Sequence, residues 1–133
     1  MRTVSLRRVA QLVVLVALAG VATSLWADYA EQQRLRARHD VRRTNGPHEV
    51  VLFVADWCGY CRRLERWLDR SGVPYRSVDV EQSFETARAH AIVAGRSAGV
   101  PTTVIGTDVY QGLDTDALRE RLARAGHAMK GEP

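Results

Sequence analysis

The sequence predicts an α/β domain carried behind an apolar N-terminal helix, and three observations lead there. A continuous apolar run, Val50 to Ala55, has the length of a central strand covered on both faces. A segment with helical spacing follows, and Tyr75 to Val80 then alternates as a second strand, completing a right-handed βαβ unit. Ahead of both, Val9 to Trp26 holds no charge over about eighteen residues, near the minimum for a helix that crosses a bilayer.

The 133 residues accommodate one small domain and an appendage. Residues 1–27 read as a single-pass membrane anchor, with Arg2, Arg7 and Arg8 before the apolar run and Trp26 and Tyr29 at the far interface. A cleavable signal peptide competes with this reading. Cleavage after Ala19 leaves a cramped apolar region, and cleavage after Ala27 puts Leu25 at a small-residue position, so the uncleaved anchor is favoured. Residues 28–46 read as a basic, solvated helical stalk running from Asp28 to Arg43 and broken at Thr44-Asn45-Gly46-Pro47.

Charge follows the same division. Residues 1–46 contain eight arginines against Asp28, Glu31 and Asp40, whereas 47–133 is close to neutral. The basic excess therefore points to a membrane surface and not to nucleic acid. Orientation rests on the order of charges. Arg34, Arg36, Arg38, Arg42 and Arg43 on the far side outnumber the three arginines on the near side, so the charge count does not decide the side. Those three directly before the apolar run, and Asp28 and Glu31 first after it, lead us to expect an exoplasmic domain, periplasmic in a bacterium.

Residues 47–133 form the folded domain. After the first strand, a helix from about Cys58 to Arg70 turns Cys61, Leu64, Trp67 and Leu68 inward, and Ser71-Gly72-Val73-Pro74 stops it. Glu81 to Ala94 reads as a second helix with Phe84, Ala87, Ala91 and Ile92 inward. Pro101–Ile105 and Asp108–Gln111 pair as a hairpin around Gly106-Thr107. Asp114 or Thr115 caps a last helix that buries Ala117, Leu118, Leu122 and Ala125, and the tail from Gly126 reads as frayed.

The chemistry concentrates in Cys58-Gly59-Tyr60-Cys61, which holds the chain's only two cysteines. Thiols at i and i+3 near a helix start can close into a small ring and reopen. The helix dipole favours thiolate on the first sulfur, and thiolate is the attacking species. Cys58 is thus the candidate nucleophile and Cys61 the resolving thiol. A structural disulfide is the weaker reading, because so short a loop removes little unfolded-state entropy.

That segment resembles the glutaredoxin branch of the thioredoxin superfamily, over roughly His48 to Gly126. Gly99-Val100-Pro101-Thr102 resembles the family's cis-proline loop, and Gln111-Gly112-Leu113-Asp114 a degraded form of its glutathione motif. The resemblance implies a thioredoxin/glutaredoxin-like α/β fold of order βαβαββα with a mixed four-stranded sheet, here with an N-terminal transmembrane helix and stalk. It also implies a cis bond before Pro101 that faces the sulfur pair and offers backbone groups to an extended substrate.

Tyr60, Val100, Pro101, Gly112 and Asp114 are accordingly the candidate substrate- or glutathione-binding residues, Tyr60 alternatively being an ordinary half-exposed aromatic. The glutathione pocket is partial. Ala55 stands where the family often has a lysine, and Gln111 and Thr115 replace a glycine and an aspartate. Glutathione is expected as a co-substrate and no cofactor as tightly bound. The four histidines lack ligand spacing, so no metal site is expected.

The function expected is a membrane-anchored thiol–disulfide oxidoreductase that works as a monomer on protein disulfides or glutathionylated substrates. The alternative is a dimer that bridges an iron–sulfur cluster with glutathione, a reading the small Gly59 keeps open.

Overall fold

The computed structural model describes residues 6–130. Two compact units divide between Arg36 and Ala37. The first is the greater part of α1 (Leu6–His39), a 34-residue helix with no buried residue. Its apolar window has a mean hydropathy of 2.1, so by length and composition alone it can cross a membrane. Arg2, assigned above to the near flank, lies outside the described residues.

The stalk was expected to run unbroken to Arg43, and Asp40 interrupts it. Asp40 caps α2 (Val41–Thr44), accepting the Arg42 backbone N–H at 3.1 Å and the Arg42 guanidinium twice at 2.8 Å. These bonds hold its carboxyl below the usual range, although burial pushes the other way. Asp40 is only 7% exposed, and Val41 packs against the sheet. This stretch joins the folded domain because it carries an apolar anchor and a satisfied buried carboxylate, neither of which a solvated stalk needs.

Four strands, β1 (Val50–Val54), β2 (Arg76–Asp79), β3 (Thr102–Ile105) and β4 (Asp108–Gln111), make a sheet ordered β2-β1-β3-β4. The β1–β2 pair is parallel and the other two are antiparallel, so the sheet is mixed as expected. Three helices complete the βαβαββα order: α3 (Gly59–Ser71), α4 (Phe84–Ala94) and α5 (Thr115–Arg124).

Alternation along β1 splits the core between two faces. Val50 and Leu52 meet Leu64, Trp67 and Leu68 of α3 and Leu118 and Leu122 of α5. Val51 and Phe53 meet Val93 of α4, with Val41 and Ala89 alongside. The β3–β4 turn is pinned at Gly106, whose φ of +57° and close approach to the Pro47 carbonyl leave no room for a Cβ.

Two expectations are corrected. The inward face of α4 is Ala89, His90 and Val93, while Phe84 is 79% exposed and Ala87 is exposed. A capping box between Ser83 and Thr86 starts the helix at Phe84, which sets its first turn with that side chain outward. The tail also docks. The His127 N–H bonds Leu122 O, the Lys130 N–H bonds Ser71 O at 2.9 Å, and Met129 packs on the core.

Candidate active site

Cys58 is the N-cap of α3, and its sulfur accepts the Cys61 backbone N–H at 3.1 Å. A helix start leaves such N–H groups without partners inside the helix, and here one is aimed at a sulfur. The two cysteines are joined as a disulfide, with Cα atoms 5.3 Å apart. Cys58 and Cys61 are 3% and 1% exposed, packed with Ala55 and flanked by Val54, Val80 and Val100. They are not equivalent. Only the Cys58 sulfur carries a backbone N–H.

The Val100–Pro101 bond is cis, as the resemblance implied. The Val100 carbonyl oxygen lies 3.7 Å from the Cys58 sulfur, so this loop faces the pair. The Gly112 N–H donates to Pro101 O at 3.0 Å, from a φ of +103° that favours glycine. Thus Cys58, Cys61, Val100, Pro101 and Gly112 are brought to one end of the sheet.

The other two candidates stand at its rim. Tyr60 is 62% exposed, with the Arg63 guanidinium 5.7 Å from its ring centre. Asp114 is exposed and caps α5, one carboxylate oxygen accepting the Asp116 and Ala117 N–H groups. Ala55 is only 4% exposed among the apolar residues beneath the sulfurs. A lysine head at that position would have to leave this cluster.

Sequence reasoning missed the support of the proline loop. His90 Nε2 lies 3.0 Å from the Thr102 hydroxyl, which donates to Gly99 O at 2.9 Å. With its own hydrogen committed to Gly99, that hydroxyl accepts from an Nε2–H on His90. Burial favours the neutral ring and lowers the His90 pKa, partly offset by a bond with the Gly99 backbone. The available signal was a histidine one turn of helix before Val93, in a segment whose apolar pattern was misjudged. Trp57, 69% exposed, donates its indole N–H to Glu81 at 2.9 Å across the site's other edge.

Parts of the chain are similar to known proteins. Residues 50–110 match the family model for glutaredoxin. That stretch resembles a glutaredoxin domain over a little under half of the chain. A protein of two strains of Mycobacterium tuberculosis, provisionally named a glutaredoxin, is 34% identical over 53 residues. That match covers 40% of this chain and 63% of the relative's length. Among solved structures, a buckwheat glutaredoxin–glutathione complex superposes with a TM-score of 0.54 at 23% identity, covering 74% of this chain and 94% of that one. A wheat glutaredoxin gives 0.54 at 18% identity, covering 70% and 89%. At these identities the two structures show the shared fold, a thioredoxin/glutaredoxin-like one with a mixed four-stranded sheet.

Proposed function

We propose that the chain is a membrane-anchored thiol–disulfide oxidoreductase, with Cys58 as nucleophile and Cys61 as resolving thiol. The observation that carries this reading is the Cys61 N–H directed at the Cys58 sulfur at the start of α3, in a domain that matches glutaredoxins. In the reduced protein the same N–H and the helix dipole stabilise a Cys58 thiolate. That thiolate attacks one sulfur of a substrate disulfide, and the other sulfur leaves as a thiolate that takes a proton from water. Cys61 then loses its proton and attacks the Cys58 sulfur of the mixed disulfide. The second substrate thiol leaves, and Cys58–Cys61 is oxidised while the substrate has gained two electrons. Two molecules of a small thiol such as glutathione return the pair to the dithiol, the first forming a mixed disulfide and the second releasing it as the small disulfide, and every step runs equally in reverse.

Tyr60, Val100, Pro101, Gly112 and Asp114 hold the substrate around this pair in the proposed arrangement. The cis-proline loop offers backbone groups to an extended segment. Glutathione is the proposed co-substrate, supported by the partial pocket and by the fold shared with a glutathione-bound glutaredoxin. Because Asp114 already caps α5 and Ala55 carries no charge, glutathione use is expected to be weak. We place residues 1–27 as the anchor, the helix from Asp28 to Arg36 as the connection and the redox domain from Ala37 onward, α2 included, working as a monomer on the exoplasmic side. No observation favours the cluster-bridging reading over exchange.

Cys58→Ser should abolish exchange, and Cys61→Ser should accumulate mixed disulfides with a substrate thiol. Mass spectrometry of reduced protein alkylated near neutral pH should show Cys58 labelled first, and preferential labelling of Cys61 would overturn the roles. The side of the membrane is tested in intact cells with an impermeant maleimide after mild reduction. Labelling that appears only after lysis refutes the exoplasmic placement.

A further inference from the structure

Arg63, Arg66 and Arg70 follow one another at i, i+3 and i+7, so they share a face of α3. All three are exposed, and none forms an ion pair among the described residues. With Trp67, Leu113 and Thr115 they line an open groove of about 410 Å³ between α3 and the segment entering α5. The nearby carboxylates make other contacts. Asp116 pairs with Arg119, Asp114 caps α5, and Asp69 interacts with Tyr75. Three guanidinium groups with no ion pair among the described residues leave the groove with a net positive charge, which Asp69 and Asp114 nearby only partly offset.

The groove adjoins the proposed site at two points. At one end Arg63 lies over Tyr60, which sits between the cysteines. Along one wall, Leu113 and Thr115 flank Asp114, just beyond the Gly112 that is tied to Pro101. A protein whose disulfide reaches Cys58 must therefore pass its neighbouring residues near these arginines.

We propose that this groove docks an acidic segment of the client protein, carboxylates meeting Arg66 and Arg70 while an apolar neighbour covers Leu113. The proposal rests on the exchange reading above and adds the class of partner to it. Single exposed ion pairs are weak, each strengthening binding about fivefold at most. The groove therefore acts mainly by steering encounter, a role that salt suppresses.

The test uses reduced full-length chain in neutral detergent and follows tryptophan fluorescence in stopped flow. The oxidants are bis(2-hydroxyethyl) disulfide, a peptide disulfide flanked by Asp and Glu, and the same peptide with Asn and Gln. At low ionic strength the acidic peptide should react about tenfold faster than its neutral twin, and high salt should erase the gap. Arg66→Glu with Arg70→Glu should remove the preference without changing the rate with the small neutral disulfide. Arg66→Gln with Arg70→Gln should give an intermediate result. Equal rates for the two peptides, or equal losses with all three oxidants, would overturn the proposal while leaving exchange intact. Loss of phosphatidylglycerol vesicle binding in the variants, with no peptide preference, would assign the groove to lipid and overturn it too. Failure of unmodified protein to react with any of the three would instead refute the exchange reading itself.

Discussion

His90 lies 7% exposed against the Phe53 ring, and its Nε2 meets the hydroxyl that ties Thr102 back to Gly99. It holds the proline loop beside Cys58 without touching either sulfur. Thr102→Val removes the hydroxyl and leaves His90 and the Gly99 carbonyl short of a partner. Urea unfolding should show a loss of about 1–3 kcal/mol, and exchange should slow because the loop facing Cys58 is freed. His90 also predicts a pH effect. Its ordinary value is 6.5, and burial lowers it in the fold, so below that value the unfolded chain binds more protons. Its contribution is therefore complete above about 6.5 and is lost as pH falls toward the lowered folded value. His90→Gln keeps an amide donor but cannot titrate there, and should flatten that part of the stability–pH curve. A curve identical to the unmodified protein would refute the assignment. The cysteines and the Asp114 cap were legible in the sequence because their partners are local. His90 was not, since its partner lies twelve positions away on another element.

Helix α3 is defined at both ends by backbone demands. Cys58 caps its start, and Gly72 ends it at a φ of +69°, where its N–H reaches Leu68 O and Asp69 O. Gly72→Ala should cost about 1 kcal/mol in chemical denaturation, from the left-handed backbone alone. The flexible Lys130 stem nearby can yield to the added methyl group. Lys130→Ala should be nearly neutral, because the bond to Ser71 O comes from the Lys130 backbone. Strong punctuation made this helix readable: a cysteine pair before it and Ser71-Gly72-Val73-Pro74 after it. Helix α4 was harder. Its buried side is Ala89, His90 and Val93, whereas the residue with the largest apolar side chain, Phe84, points outward. A hydrophobic pattern so diluted by alanine does not reveal its phase.

At the scale of the molecule, α2 belongs with the sheet, although sequence reading set it in the stalk. Truncation before Ala37 should leave the thermal midpoint of the redox domain nearly unchanged. Truncation before Pro47 removes Asp40, its Arg42 partner and the Val41 contact, and should lower stability by about 1–3 kcal/mol. Equal midpoints for the two would show that α2 contributes nothing. The strand order and the mixed sheet were anticipated through family likeness and not through periodicity, since pairing joins residues far apart in sequence. The docking of α2 had no comparable signal, because four residues cannot display a helical stripe.

That docking has a practical side. Because Val41 packs with the α4 layer, α2 lies across the sheet from α3 and α5. In a chain shortened to start at Ala37, a linker, bead or reporter could be joined ahead of α2, whose own packing is on the α4 side. The arginine-lined groove would stay open to whatever is presented to it in solution.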